Sequence, residues 1–173
     1  MNPAARPRRS PAGFTLVELL IVVLILSIAS ALVVPMFRDS QATQLRSAAR
    51  LLAADLDAAK VESLSHADDP RVIAFDLDAN TYHIAAVSTP ETPIVNVFDK
   101  KAYQVQFGHG RARALPDVRL VSADVGDDDQ LGFGIYGNLD QTEPALITLG
   151  AGDGRVTLTL DPDTGETTIS ALQ

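Results

Sequence analysis

Glu18 is the only charged side chain between Phe14 and Phe37, in the run FTLVELLIVVLILSIASALVVPMF. A carboxylate in such surroundings costs about 3 kcal/mol unless a cation neutralises it. An acid placed about 6 Å inside an apolar stretch by helical rise usually has a named partner; the alternative is an interfacial acid that snorkels and has no role. Ahead of it stands Gly13, which has no Cβ and lets a protease approach an extended backbone closely. Everything before Phe14 that carries charge is basic (Arg6, Arg8, Arg9), and all 22 acidic residues come later.

The elements that would place these residues follow from the same run. The 19 uncharged residues 19–37 would span about 28 Å as a helix, close to the hydrocarbon thickness of a bilayer, about 30 Å. The arginines before it put the N-terminus in the cytoplasm and the remainder outside by the positive-inside rule. A cleaved secretory signal ending at Ala29-Ser30-Ala31 fits less well, because an acid sits in its apolar region and the run continues beyond the cut. Pro35 removes one helical hydrogen bond and predicts a kink or a melted turn.

From Asp39 the pattern becomes amphipathic, with Leu45, Ala49, Leu52, Leu56 and Ala59 at spacings of three and four. Pro70 ends this half of the helix, since the residue before proline is pushed away from helical angles. Strands are predicted at 71–76, 81–87, 94–98, 103–107, 118–123, 131–136, 145–149, 155–160 and 166–171. The expected fold is α+β: a long N-terminal transmembrane and stem helix packed on a β-rich, sandwich-like antiparallel head.

Other constellations carry little chemistry. With no cysteine among 173 residues, disulfides and thiolate sites are excluded. His66, His83 and His109 are far apart, and no HxxxH or HExxH pair or G-x-S-x-G elbow occurs. The acidic turns at Asp76-Leu-Asp78-Ala-Asn80 and Asp161-Pro-Asp163-Thr-Gly165 fail the EF-hand template at its sixth and twelfth positions. Gly150-Ala-Gly152-Asp-Gly154 precedes a strand, so it is no phosphate loop. Arg111, Arg113 and Arg119 form the only basic cluster beyond the leader, in an otherwise acidic head, which disfavours nucleic acid as a partner. No cofactor and no enzymatic activity are expected.

The ordered run Gly13-Phe14-Thr15-Leu16-Val17-Glu18-Leu19-Leu20-Ile21-Val22-Val23 resembles the processing and assembly motif of type IV pilins and of type II secretion pseudopilins. The resemblance implies that prepilin peptidase cuts between Gly13 and Phe14 and methylates the new Phe14 amine. It also implies that Glu18 pairs with that amine in a neighbouring subunit during fibre assembly. A proline at the position of Pro35 is common in the family's stems. Major pseudopilins carry a calcium loop, which makes Asp127, Asp128 and Asp129 weak calcium candidates.

The second half, through Phe133-Gly-Ile-Tyr136-Gly-Asn138, Ala145-Leu-Ile-Thr-Leu149 and Val156-Thr-Leu-Thr-Leu160, loosely resembles the H-type minor pseudopilins and their FimT-like relatives. The basic C-terminal motif of DNA-uptake members is missing from 161–173. The expected organisation is a cleaved leader at 1–13, a transmembrane half-helix at 14–37, an amphipathic half at 38–66 and a periplasmic head at 67–173. The expected function is that of a minor pseudopilin in the inner membrane and then the pseudopilus. Its implied partners are prepilin peptidase, other major and minor pseudopilins and the inner-membrane secretion platform. The alternative is a minor type IV pilin for adhesion, twitching or DNA uptake. Loss of the leader takes three arginines from 14 basic against 22 acidic residues, leaving 11 against 22 and a net charge of −11.

Overall fold

A computed structural model describes residues 15–96, 100–126 and 129–173, without the side chains of 31–39. Its contacts divide the chain into two units, Met1–Phe37 and Arg38–Gln173. Helix α1, Leu16–Ser65, begins in the first unit, ends in the second and runs without a break through Pro35.

Within the first unit every large apolar side chain from 16 to 28 is exposed. Consecutive residues step by about 100°, so the apolar surface covers the whole circumference rather than one stripe. Ser27 and Ser30 are satisfied inside the helix: Ser27 Oγ donates to the Val23 carbonyl and Ser30 Oγ to that of Leu26, each at 2.8 Å. Among the described residues no helix is long and apolar enough to cross a membrane. The apolar run continues into 31–37, whose side chains lie outside the description.

Within the second unit α1 buries Leu45, Ala48, Ala49, Leu52, Leu56 and Ala59. This is the stripe that the three- and four-residue spacing requires. Its end is tied down by Ser63, whose Oγ accepts the Arg71 amide at 2.7 Å. Two antiparallel sheets complete this unit. The first holds β1 (Arg71–Asp76), β2 (Thr81–Ala86), β3 (Thr89–Pro93) and β6 (Gln130–Gly132) in the order β3-β2-β1-β6, with β4 (Gln104–Gln106) also paired to β2. The second has the order β5-β7-β8-β9, made of Arg119–Asp124, Ala145–Ala151, Gly154–Leu160 and Thr167–Ile169.

Alternation along β7 and β8 sends Ala145, Ile147, Leu149, Val156, Leu158 and Leu160 inward. They join Ile73, Tyr82 and Ile84 of the first sheet and the apolar stripe of α1 in one core cluster. Fully burying a side chain of Leu or Ile size contributes about 1.5–3 kcal/mol, so this cluster is what holds the head together.

Three strand expectations change. The segment after β2 forms β3 at Thr89–Pro93 rather than a strand over 94–98, where only a bridge from Val95 to Ala102 occurs among the described residues. Two prolines restrict Thr89–Pro93 to an edge position, and β3 pairs only with β2, across a register shift at Ala85 and Ala86. The predicted strand 131–136 stops at Gly132, because Gly134 to Gly137 close a tight turn through Gly137 N to Gly134 O at 2.9 Å. The last strand shortens to Thr167–Ile169.

Candidate functional site

The N-terminal motif is described from Thr15 onward; Gly13 and Phe14 lie outside the described residues. Thr15 occupies the position just before α1, where four backbone N–H groups lack helical partners. Glu18 N donates to Thr15 Oγ1 at 3.2 Å, while Thr15 N and Thr15 Oγ1 donate to Glu18 Oε2 at 2.9 and 2.8 Å. This reciprocal arrangement is a capping box. The acid also faces the positive end of the helix dipole, which favours a negative charge there. Reading Thr15 with Glu18 as S/T-x-x-E could have found the box in the sequence.

Residues 8–34 match the family described as the prokaryotic N-terminal methylation motif. That match covers the N-terminal segment, the part that resembles the type IV pilin and pseudopilin superfamily. Among solved structures, the chain is similar to the type IV minor pilin FimU of Pseudomonas aeruginosa strain PAO1, at 16% sequence identity and a TM-score of 0.49. That match covers 73% of this chain and 93% of the other. No curated protein matches the chain.

Among the described residues, the remaining candidates do not gather into one site. Pro35 lies among the residues whose side chains are outside the description, and Asp127 and Asp128 lie outside the described residues altogether. Asp129 is exposed, and its carbonyl accepts the Phe75 amide at 3.1 Å. Among the described residues no group of three His, Asp or Glu side chains could hold a metal.

The acidic turns have structural partners instead. Asn80 is 7% exposed, and its side chain bonds the Val118 carbonyl at 2.9 Å and the Leu120 amide at 2.8 Å, tying the β1–β2 turn to β5. Asp161 Oδ1 accepts from Thr164 N and Thr164 Oγ1, each at 2.9 Å, and from Asp163 N at 3.1 Å. The Thr164 amide and hydroxyl bonds hold the Asp161 carboxyl below its ordinary pKa. Gly152 and Asp153 form the two-residue loop between β7 and β8, with Gly152 at φ 57°, so the glycine-rich stretch is a hairpin.

The histidines sit apart. His66 bonds the Glu62 carbonyl at 2.9 Å, His83 on β2 bonds that of Pro90 at 2.8 Å, and His109 precedes the short turn Gly110–Ala112.

The cluster missed by sequence reasoning is buried. Asp55, 2% exposed on α1, accepts Tyr82 Oη at 2.6 Å, Tyr103 Oη at 3.1 Å and the Arg111 guanidinium. Arg111 also lies 5.1 Å above the Tyr103 ring. Its charge is thus spent within the head, not on a phosphate-binding surface. Desolvation, reinforced by the Asp55 charge and hydrogen bond, pushes the Tyr82 hydroxyl well above its ordinary pKa. Desolvation does the same, less strongly, to Tyr103.

Proposed function

We propose that this chain is a structural, non-enzymatic subunit of a pilus-like fibre, and in finer detail a minor pseudopilin of a type II secretion system. The observation that carries the fibre reading is the Gly13–Glu18 motif, with its acid held in a capping box at the head of a helix that is apolar all round. The loose likeness of the C-terminal half to H-type minor pseudopilins favours the finer form. A minor type IV pilin is the alternative.

The mechanism follows from the bonds Glu18 makes. Before assembly, Thr15 supplies two donors to one carboxylate oxygen, which offsets part of the cost of holding an acid in apolar surroundings. Prepilin peptidase cuts after Gly13 and frees the Phe14 amine. In the fibre, Glu18 exchanges its own Thr15 contacts for the amine of a neighbouring subunit, and both charges are neutralised together. Processing and assembly are therefore linked through one proton-bearing group that exists only after cleavage. The basic leader keeps the N-terminus cytoplasmic, the helix sits in the inner membrane, and the head is periplasmic.

Mass spectrometry of the chain recovered from its native membrane tests the first step, with N-methyl-Phe14 as the expected N-terminus. Another N-terminus overturns the processing role of Gly13. The Glu18→Ala variant is expected to be cleaved normally yet to be missing from sheared fibres, and normal incorporation overturns the pairing. Secretin and secretion ATPase genes beside this one support the pseudopilin form; pilus retraction genes support the alternative.

A further inference from the structure

A groove of about 380 Å³ runs between α1 and the end of the second sheet, with Ala49, Val156, Ile169 and Leu172 as its apolar part and Arg46 and Arg50 in its wall. Both arginines are exposed, and among the described residues neither makes an ion pair or a hydrogen bond. The chain has 22 acidic against 14 basic residues, yet none of the described acids is turned to these two. Asp55, the next acid along α1, is committed to Tyr82, Tyr103 and Arg111.

Beside the arginines the sheet ends in an open edge. β9 is the outer strand and pairs only with β8. Asp161 N donates to the Glu166 carbonyl at 3.0 Å and Ser170 N to that of Thr157 at 2.9 Å, so the even-numbered residues here turn their backbone groups to β8. By antiparallel alternation Thr167 and Ile169 turn theirs to the open side. No Lys or Pro, the usual guards of such an edge, occurs from 166 to 173.

Helix and edge run side by side in opposite directions. Leu45 and Leu172 both come within 3.6 Å of where a Cβ on Gly154 would stand, and further along α1 Lys60 Nζ bonds the Thr164 carbonyl at 2.6 Å. Arg46 and Arg50 are one turn apart, about 6 Å along the axis. Alternate residues of a strand share a face and are spaced by about 6.7 Å. A strand laid on the open side of β9 therefore brings side chains i and i+2 opposite the two arginines.

We propose that β9 accepts an extended acidic segment of another protein as a further strand, whose carboxylates at alternate positions meet Arg46 and Arg50. Charge complementarity selects the occupant, since two unopposed cations are matched by two anions. The unpaired backbone beside them selects a peptide over a phosphate or a lipid headgroup. Backbone bonds with Thr167 and Ile169 supply affinity, and the arginines fix the register, because a slip of one residue turns the carboxylates to the opposite face. The site lies wholly within Arg38–Gln173, so it goes beyond the fibre-subunit reading and needs neither cleavage after Gly13 nor Glu18.

The probe is a fluorescein-labelled octapeptide of alternating Glu and Thr, titrated with the full chain in mild detergent and followed by anisotropy. Saturable binding is expected, and the double variant Arg46→Gln/Arg50→Gln should weaken it about tenfold through loss of two exposed ion pairs. Both arginines are exposed, so the variant keeps the wild-type thermal midpoint. Two further peptides carry backbone N-methyl groups, one on every Glu and the other on every Thr. In a strand all Glu amides point to one edge and all Thr amides to the other, so only one of these peptides should lose binding.

Equal binding of the two N-methyl peptides overturns strand addition. No saturation up to about 1 mM, or full affinity in the folded double variant, overturns the site. Displacement of the peptide by equimolar inorganic phosphate assigns the arginines to a phosphate and overturns the proposal as well. Any of these results leaves cleavage after Gly13 and the role of Glu18 standing, so the two readings fail separately.

Discussion

Replacing Asp55 with alanine should be the most damaging single change in the polar interior. Asp55 links α1 to β2, to the segment before β4 and to the Gly110–Ala112 turn through Tyr82, Tyr103 and Arg111. Asp55→Ala strands the Tyr82 hydroxyl, whose residue is 0% exposed, and an orphaned buried polar group costs about 1–3 kcal/mol. Removing one partner of a buried ion pair costs about 3–5 kcal/mol, but the Arg111 side chain is 37% exposed and regains water. The expected loss is therefore about 3 kcal/mol. Tyr82→Phe removes one bond to a charged group and should cost about 2 kcal/mol. In the double variant the Tyr82 hydroxyl is no longer orphaned, so its cost should fall short of the summed single losses by about 1 kcal/mol or more. Urea unfolding of the full chain in detergent, followed by tyrosine fluorescence, reads this directly, because the chain has three tyrosines and no tryptophan. A loss below about 1 kcal/mol for Asp55→Ala, or strict additivity in the cycle, would falsify the assignment of Asp55 as the clamp between helix and sheet.

Further outcomes follow from the same interior. Asn80→Ala removes the bonds to Val118 and Leu120 and places a Cβ-bearing residue without a compensating side chain at φ 56°, so about 2–4 kcal/mol should be lost in thermal unfolding. Asn80→Gly should recover only the backbone part of that loss. Gly165→Ala sets a Cβ against the Gly137 carbonyl at φ 61°, and should lower the unfolding midpoint and loosen the turn that Lys60 holds, read as faster amide exchange at Thr164 and Gly165. Tyr82, with its folded pKa raised, contributes stability that is complete below the ordinary tyrosine value of about 10 and is lost as pH rises toward the folded value. Alkaline unfolding above about pH 10 should accordingly be shallower in Tyr82→Phe; an unchanged slope would refute that linkage.

The helix was legible because one apolar period, Leu45 to Ala59, runs for four turns and stops before Pro70. The β1–β2 and β7–β8 hairpins were legible for a similar reason, with regular strand patterns flanking Asp-, Asn- and Gly-rich turns. β3 was not, because Thr-Pro-Glu-Thr-Pro has little strand character and pairs only as an edge. Asp55 looked like any polar residue on an amphipathic helix. Its partners lie 27, 48 and 56 residues away, and no local period encodes such distances. Asn80 was legible as a turn residue that fails the EF-hand template, but no local pattern showed that burial commits its amide to Val118 and Leu120.

Two acids on α1 thus have opposite kinds of support. Glu18 is held by a residue three positions back, through bonds that any first helical turn can break and remake without disturbing the rest of the chain. Asp55 is held by three long-range donors, and releasing it means parting the helix from the first sheet. In the fibre reading proposed above, Glu18 changes partners and needs the first kind of support, while Asp55 joins helix to sheet and needs the second. In that reading, the division between exchangeable and fixed carboxylates lets one helix carry both a group that changes partners and a group that holds the head to α1.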